Sequence, residues 1–161
     1  MTMQDYASQV GTSQELPGGM LALGYAGLLP FVALVIGLFF IHDLALQTLL
    51  AKGLLAYGAA ILSFLGAVHW GWILARKGEG NDSAGALAVG ILPASSAALS
   101  LILSISYGLG LQIISFAAFW LYERRVAAQW LPESYLALRM RLTLIVLGSL
   151  VLALMGPLAS P

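Results

Sequence analysis

Long uncharged stretches dominate the pattern of hydrophobic and polar positions along this chain. A helix needs about 20 apolar residues to cross the hydrocarbon core of a bilayer. The uncharged stretch at 83–122 would be about 60 Å long as a single helix, so it must turn, and residues 104–110 are its polar, glycine-containing part. The pattern therefore predicts five transmembrane helices, at about residues 20–41, 53–75, 84–103, 107–123 and 136–156.

Polar segments flank this region. Residues 1–19 are predicted to form a polar N-terminal tail, residues 20–156 one transmembrane domain, and residues 157–161 a short C-terminal tail. The first eighteen residues carry no Lys or Arg and therefore lack the basic start of a signal peptide. The expected fold class is all-α, a polytopic bundle of five transmembrane helices.

Composition excludes several other classes of protein. Apolar residues make up 60% of the chain and charged residues 9%, against roughly 45–50% and 25% in soluble domains. Seven basic residues and a net charge of zero leave no surface for nucleic acid. The absence of cysteine excludes disulfides, thiolate metal sites and a cysteine nucleophile.

The basic residues predict the orientation of the bundle. With five spans, one side of the membrane holds Arg76, Lys77, Arg124, Arg125, Arg139 and Arg141, and the other side holds only Lys52. Such an excess marks the cytoplasmic side, which places the N-terminus inside and the C-terminus outside. We expect Arg139 and Arg141 to snorkel outward and the basic residues to bind anionic lipid headgroups.

Small residues predict where the helices pack, because membrane helices associate by close approach rather than by hydrophobic burial. On the second span they follow one face, Ala56, Ala60, Ser63, Ala67 and Gly71. On the third span they are Gly90, Ala94 and Ala97 or Ala98. Pro30 and Pro93 are expected to kink their helices and to free backbone carbonyls for neighbouring helices.

Short internal similarities suggest a repeat of two helices. Residues 27–30 (GLLP) resemble residues 90–93 (GILP), and the pair Tyr57-Gly58 is matched by Tyr107-Gly108. Both halves would enter the membrane in the same direction, which makes the repeat parallel. Chance similarity remains the alternative, since these residues are common in membrane helices.

His69 is the most informative ionisable residue, because such groups within a membrane are costly and often functional. It is interpreted either as a packed histidine bonded to a neighbouring helix or as a proton-sensitive or ligand-binding group. The candidate ligand-binding residues lie at the cytoplasmic side: Ser63, His69, Trp70, Arg76, Trp120, Glu123 and Arg124. Glu123 is expected to pair within its own helix end or with basic residues of the second span. No catalytic motif, metal-ligand set or cofactor fingerprint is present in the sequence, so we expect a protein that is not an enzyme and has no cofactor.

Several strings are similar to domain-of-unknown-function family 3429, the transmembrane protein 69-like proteins. They are the YGAAILSFLGAVHWG segment at 57–71, the GILP step at 90–93, the YERR end at 122–125 and LPESYLALR at 131–139. The resemblance covers roughly residues 20–155. It implies a small, multi-pass protein of the bacterial inner membrane and carries over no catalytic residue.

Two functions remain open at this point. The first is a non-enzymatic accessory or assembly subunit that docks on a larger membrane complex, supported by the absence of a soluble domain and by the small-residue faces. The second is a binder or carrier of a small lipophilic or anionic molecule in a cytoplasmic-side pocket, supported by the histidine, tryptophan and arginine residues above.

Overall fold

The computed structural model of the protein describes residues 18–75, 84–125 and 133–156. Within these ranges the regular elements are six helices: α1 (Gly18–Ala26), α2 (Leu29–Phe40), α3 (Leu44–Ala75), α4 (Ala84–Ile102), α5 (Ile105–Arg125) and α6 (Glu133–Met155). Four segments are long and apolar enough to span a membrane, Gly18–Phe40, Leu44–Gly71, Ile105–Arg125 and Glu133–Met155, and the apolar part of α4, Leu87–Ile102, is shorter. The structure thus confirms an all-α, polytopic membrane fold. The orientation of the termini stays a prediction.

The first span consists of two helices separated by Gly27 and Leu28. Pro30 lies in the first turn of α2, where its missing N–H costs nothing. The Tyr57 hydroxyl of α3 donates a hydrogen bond of 2.9 Å to the Gly27 carbonyl, and its ring packs edge-on against Phe31. The expected kink near Pro30 is therefore a break in the helix, and a neighbouring helix satisfies a carbonyl at that break. The matching Pro93, by contrast, lies inside the continuous helix α4.

The other helix boundaries follow from caps and turns. The Asp43 carboxylate accepts a hydrogen bond of 2.8 Å from the Leu46 N–H, which caps the start of α3. For this reason α3 begins at Leu44, ahead of the predicted start of its span at residue 53. The chain turns between α4 and α5 at residues 103–104, at the start of the polar stretch that predicted this turn.

Helices α3 and α5 occupy the centre of the bundle. Helix α3 contacts α2, α4 and α5, whereas α5 also contacts α4 and α6, and α6 closes the arrangement against α1 and α2. The largest fully buried apolar side chains come from α2, α3, α5 and α6: Phe31, Leu38, Leu54, Leu62, Leu109 and Leu150. Near their predicted cytoplasmic ends α3 carries His69 and Trp70, and α5 carries aromatic and charged side chains. The contact between α3 and α5 brings this region of the two helices together.

The prediction that the small-residue face of α3 packs against the neighbouring helices is wrong. Four of its five members point away from the bundle: Ala56, Ala60, Ala67 and Gly71. The buried glycines of α3 are Gly58 and Gly66, and a β-carbon on Gly66 would collide with the carbonyl oxygen of Gly90. Small residues surround much of α3, so their spacing could not show which face meets the other helices.

On α4 the predicted packing residues are correctly placed. Gly90 and Ala97 are buried and Ala94 is half-buried, while the alternative residue Ala98 is exposed. A β-carbon on Gly90 would collide with the indole ring of Trp70. Backbone meets backbone at Gly66 and Gly90, and this close approach of α3 and α4 determines where Trp70 can lie.

Candidate functional site

A buried ion pair joins α5 and α6 near the predicted cytoplasmic end of the bundle. The Arg139 guanidinium donates two hydrogen bonds to one carboxylate oxygen of Glu123, from Nη2 at 2.7 Å and from Nε at 3.1 Å. Glu123 is 6% exposed and Arg139 8% exposed. The expectation that Arg139 snorkels outward is wrong. Glu123 pairs with Arg139 and not with the arginines of its own helix end, and the other expected partners, the basic residues after α3, lie outside the described residues. Arg139 lies on the face of α6 that packs against α5, and a charge buried there requires an opposite charge.

One residue before Glu123, an aromatic cluster joins α5 to α3. Tyr122 Oη lies 3.4 Å from His69 Nε2, and the two rings meet edge-on with centroids 5.4 Å apart. The Phe119 ring contacts His69 at a centroid distance of 6.1 Å and stacks on Tyr122 at 6.2 Å. This is the geometry of a histidine packed against a neighbouring helix. A ligand-binding role for His69 stays a prediction.

The side chains of Trp70 and Ser63 have different hydrogen-bond partners from that of His69. The Trp70 indole N–H donates a hydrogen bond of 2.8 Å to the Leu87 carbonyl of α4, and the side chain is 40% exposed. Ser63 is half-buried, and its hydroxyl donates to the Ala59 carbonyl of its own helix at 2.9 Å. The ligand-site prediction grouped these residues, but His69 bonds toward α5, Trp70 toward α4 and Ser63 along α3.

The remaining predicted site residues lie on α5 or outside the described part of the chain. The Arg124 guanidinium lies 5.5 Å from the centroid of the Trp120 ring, at the one-turn spacing that lets a cation cover an aromatic face. Arg124 is exposed and Trp120 half-buried. Arg76 lies outside the described residues. The structure therefore brings Trp120 and Arg124 together, while Glu123 turns inward to α6.

A second polar cluster, which the sequence reasoning missed, lies in the interior between α3, α4 and α5. The Gln112 side chain is fully buried, and its Nε2 donates to the Leu55 carbonyl at 2.7 Å and to Ser100 Oγ at 3.0 Å. Its Oε1 lies against the Cα of Gly58 and has no conventional hydrogen-bond donor. The sequence signal that could have revealed this cluster is Gln112 itself, an amide side chain in an uncharged apolar stretch. Such side chains in membrane helices form hydrogen bonds with neighbouring helices.

A surface groove separates α1 from α6 on the side where both helices begin. Its volume is about 570 Å³, and its lining combines apolar and polar side chains: Leu21, Tyr25, Ser134, Ala137, Leu138 and Arg141. In ranges 18–75, 84–125 and 133–156 no three His, Cys, Asp or Glu side chains are placed to hold a metal ion. The groove shares no lining residue with the predicted ligand site.

The amino-acid sequence of this helical bundle matches a family model over most of its length. The model of DUF3429, described as a protein of unknown function, matches residues 16–155. The chain belongs to this family. It is 30% identical over 155 residues to transmembrane protein 69 of Xenopus tropicalis, an alignment that covers 92% of this chain and 58% of that protein. No solved structure matches the chain.

Membership of DUF3429 confirms the resemblance read from the sequence strings. The matched range includes all six helices, since it runs from residue 16 to residue 155. The chain spans 58% of the length of its Xenopus tropicalis relative, which is a longer protein. The comparisons support a multi-pass membrane protein and name no activity.

Proposed function

We propose that this DUF3429 protein is a non-enzymatic accessory or assembly subunit of the bacterial inner membrane, and that it docks on a larger membrane complex. The proposal places the contact on the outward face of α3. We call this the α3 outer face and define it by Ala56, Ala60, Ala67 and Gly71.

The observation that carries the proposal is the shape of the α3 outer face. All four residues are exposed, and in the described part of the chain no atom of another helix lies within 4 Å of the place where a Gly71 side chain would begin. Faces of this kind let the backbones of two membrane helices approach closely. Elsewhere the outward positions mix small residues such as Ala33 and Ala88 with bulky side chains such as Ile102, which is 81% exposed. The α3 outer face differs in having four small residues that follow one face of a single helix.

The internal bonding of the polar residues also favours docking over ligand binding. Glu123 is bonded to Arg139, Trp70 to the Leu87 carbonyl and Ser63 to the Ala59 carbonyl. A ligand that used these groups would have to break existing hydrogen bonds, and a buried group left without its partner costs about 1–3 kcal/mol. A docking partner on α3 would leave all of them intact.

The test uses the natural absence of cysteine in the chain. A single Ala60→Cys variant is reacted in native membranes with a short bifunctional reagent, and Ala33→Cys on the exposed side of α2 is the matched control. We expect a discrete adduct of one defined mass from Ala60→Cys and none from Ala33→Cys. The adducted protein is then identified and co-purified with the unmodified chain under gentle extraction.

A bulky substitution separates a true interface from chance proximity. Ala60→Leu should abolish co-purification of the larger assembly while the melting temperature of the isolated protein stays that of the wild type, because residue 60 faces outward. Native mass spectrometry that shows only a lone chain or a small homo-oligomer, together with no adduct from Ala60→Cys, would contradict the accessory role.

The alternative function is a binder or carrier of a small lipophilic or anionic molecule near His69. Its support is the contact between His69 and Tyr122, which are both half-buried and could exchange protons or hydrogen bonds with a ligand. A non-lipid mass that is bound to the wild-type protein and lost in His69→Ala, with an unchanged melting temperature, would favour this alternative. Loss of folding in His69→Ala would show that the residue is structural.

A further inference from the structure

Two arginines near the start of α6 have opposite environments. Arg139 is buried and bonded to Glu123. Arg141 is exposed, and across the described parts of the chain no carboxylate lies within ion-pair distance of it. Although it is exposed, Arg141 lies well inside the predicted span. It is eight residues after the first residue of α6, or about 12 Å along the helix at about 1.5 Å per residue. A cation at such a depth in a membrane-spanning helix needs an anion or water.

The groove between α1 and α6 supplies the surroundings of Arg141. Tyr25 of α1 lines it opposite α6, while Leu21 and Leu138 supply apolar surface. Among the described residues no Asp or Glu lines the groove, and the charged side chain that they contribute is Arg141. The volume of about 570 Å³ lies in the range of roughly 300–1,000 Å³ that is typical of ligand sites.

We propose that this groove binds one anionic phospholipid. The Arg141 side chain reaches back toward the start of α6 to hold the headgroup phosphate, and the upper part of an acyl chain runs inward from there past Leu138. Arg141 has no carboxylate partner among the described residues, and a guanidinium can bind a phosphate through two parallel hydrogen bonds. Tyr25 lines the same groove, and tyrosines at membrane interfaces use their hydroxyl to bond lipid oxygens.

The location in the fold supports a lipid over a soluble anion. The predicted topology puts the starts of α1 and α6 on the side of the membrane that holds most of the basic residues. The groove is open along the outside of the bundle and includes the half-exposed side chains of Leu21 and Tyr25, 39% and 42% exposed. A free phosphate would use Arg141 but not this apolar surface, whereas a phospholipid uses both. The proposal is independent of the accessory role, since the α3 outer face is not part of the groove.

The experiment titrates delipidated protein in detergent with phosphatidylglycerol and with phosphatidylcholine of identical acyl chains, and counts bound lipids by native mass spectrometry. We expect one tight site for phosphatidylglycerol and weaker binding of phosphatidylcholine. Arg141→Gln should weaken phosphatidylglycerol binding about fivefold, the effect of one basic residue at an anionic surface. The matched control Arg125→Gln removes an exposed arginine outside the groove and should leave the tight site unchanged.

A second variant tests the groove rather than the charge. Ala137→Trp fills the groove and should abolish the tight site, whereas Ala118→Trp, at an exposed residue of α5, should not. Glycerophosphate without acyl chains should fail to displace the bound lipid. The proposal is overturned if Arg141→Gln and Ala137→Trp bind phosphatidylglycerol as the wild type does, or if phosphatidylcholine binds equally well. It is also overturned if glycerophosphate competes as well as the lipid, which would make the groove a site for free phosphate esters.

Discussion

Removal of either member of the Glu123–Arg139 pair should destabilise the bundle far more than removal of an exposed charge. The side chains of these residues are only 8% and 10% exposed, and both hydrogen bonds of the pair end on the same carboxylate oxygen. Glu123→Gln keeps the shape of the side chain but leaves the Arg139 charge without an opposite charge. Arg139→Gln leaves the carboxylate in the same position.

The magnitude follows from the burial of the pair. Breaking a buried ion pair by removing one partner costs about 3–5 kcal/mol, because the remaining charge is buried without compensation. Replacing both partners by apolar residues of similar volume is often neutral or stabilising by about 1–4 kcal/mol. Glu123→Met with Arg139→Met should therefore be more stable than either single glutamine variant, which is the opposite of additive behaviour.

The assay is reversible unfolding in mixed micelles, followed by tryptophan fluorescence. The matched controls are Glu133→Gln and Arg125→Gln, two exposed charges near the same ends of α6 and α5, which should change the free energy of unfolding by about 0.5 kcal/mol or less. If the single glutamine variants lose less than about 1 kcal/mol, the pair behaves like a surface ion pair. That result would refute the buried geometry described here.

Three further predictions concern packing, the interior amide and topology. Gly66→Ala should lose about 1–3 kcal/mol of stability by overpacking, because the new β-carbon meets the Gly90 carbonyl. The control Gly71→Ala should melt like the wild type. Equal melting temperatures of the two variants would contradict the assigned contact face. Gln112→Met should lose about 1 kcal/mol, the scale of interhelical hydrogen bonds in membranes, and a loss as large as that of Glu123→Gln would show a larger role for the amide. A reporter fused to the C-terminus should be active outside the cytoplasm, and activity inside would remove one predicted span.

The hydrophobic pattern predicted the fold class and most helix boundaries. Hydrocarbon thickness sets the length of an apolar helix, so the length of the uncharged stretch at 83–122 required a turn, which the structure places at residues 103–104. The pattern missed the early start of α3, since the capping contact from Asp43 to Leu46 lies before the apolar residues. It also treated the first span as one helix, although Pro30 marked the position of the break.

The candidate site was predicted less well. The sequence identified Glu123, His69 and Trp70 as residues worth attention, but it assigned Glu123 to the wrong partners. It placed Arg139 among the outward arginines, yet Arg139 is buried and Arg141 is exposed. Two arginines separated by one residue lie on different faces of a helix, and only the position of α5 determines which of them meets a carboxylate.

The sequence by itself determined that this is an integral membrane protein, that it is helical, and about where its helices begin and end. Those properties depend on local composition and on the thickness of the bilayer. The tertiary structure alone decided which face of α3 packs, which arginine is buried, and where Gln112 finds its partners. Each of these depends on how helices distant in sequence rotate about their axes, and in a chain with small residues around much of α3 the sequence allows several rotations. The close approach at Gly66 and Gly90 selects one of them.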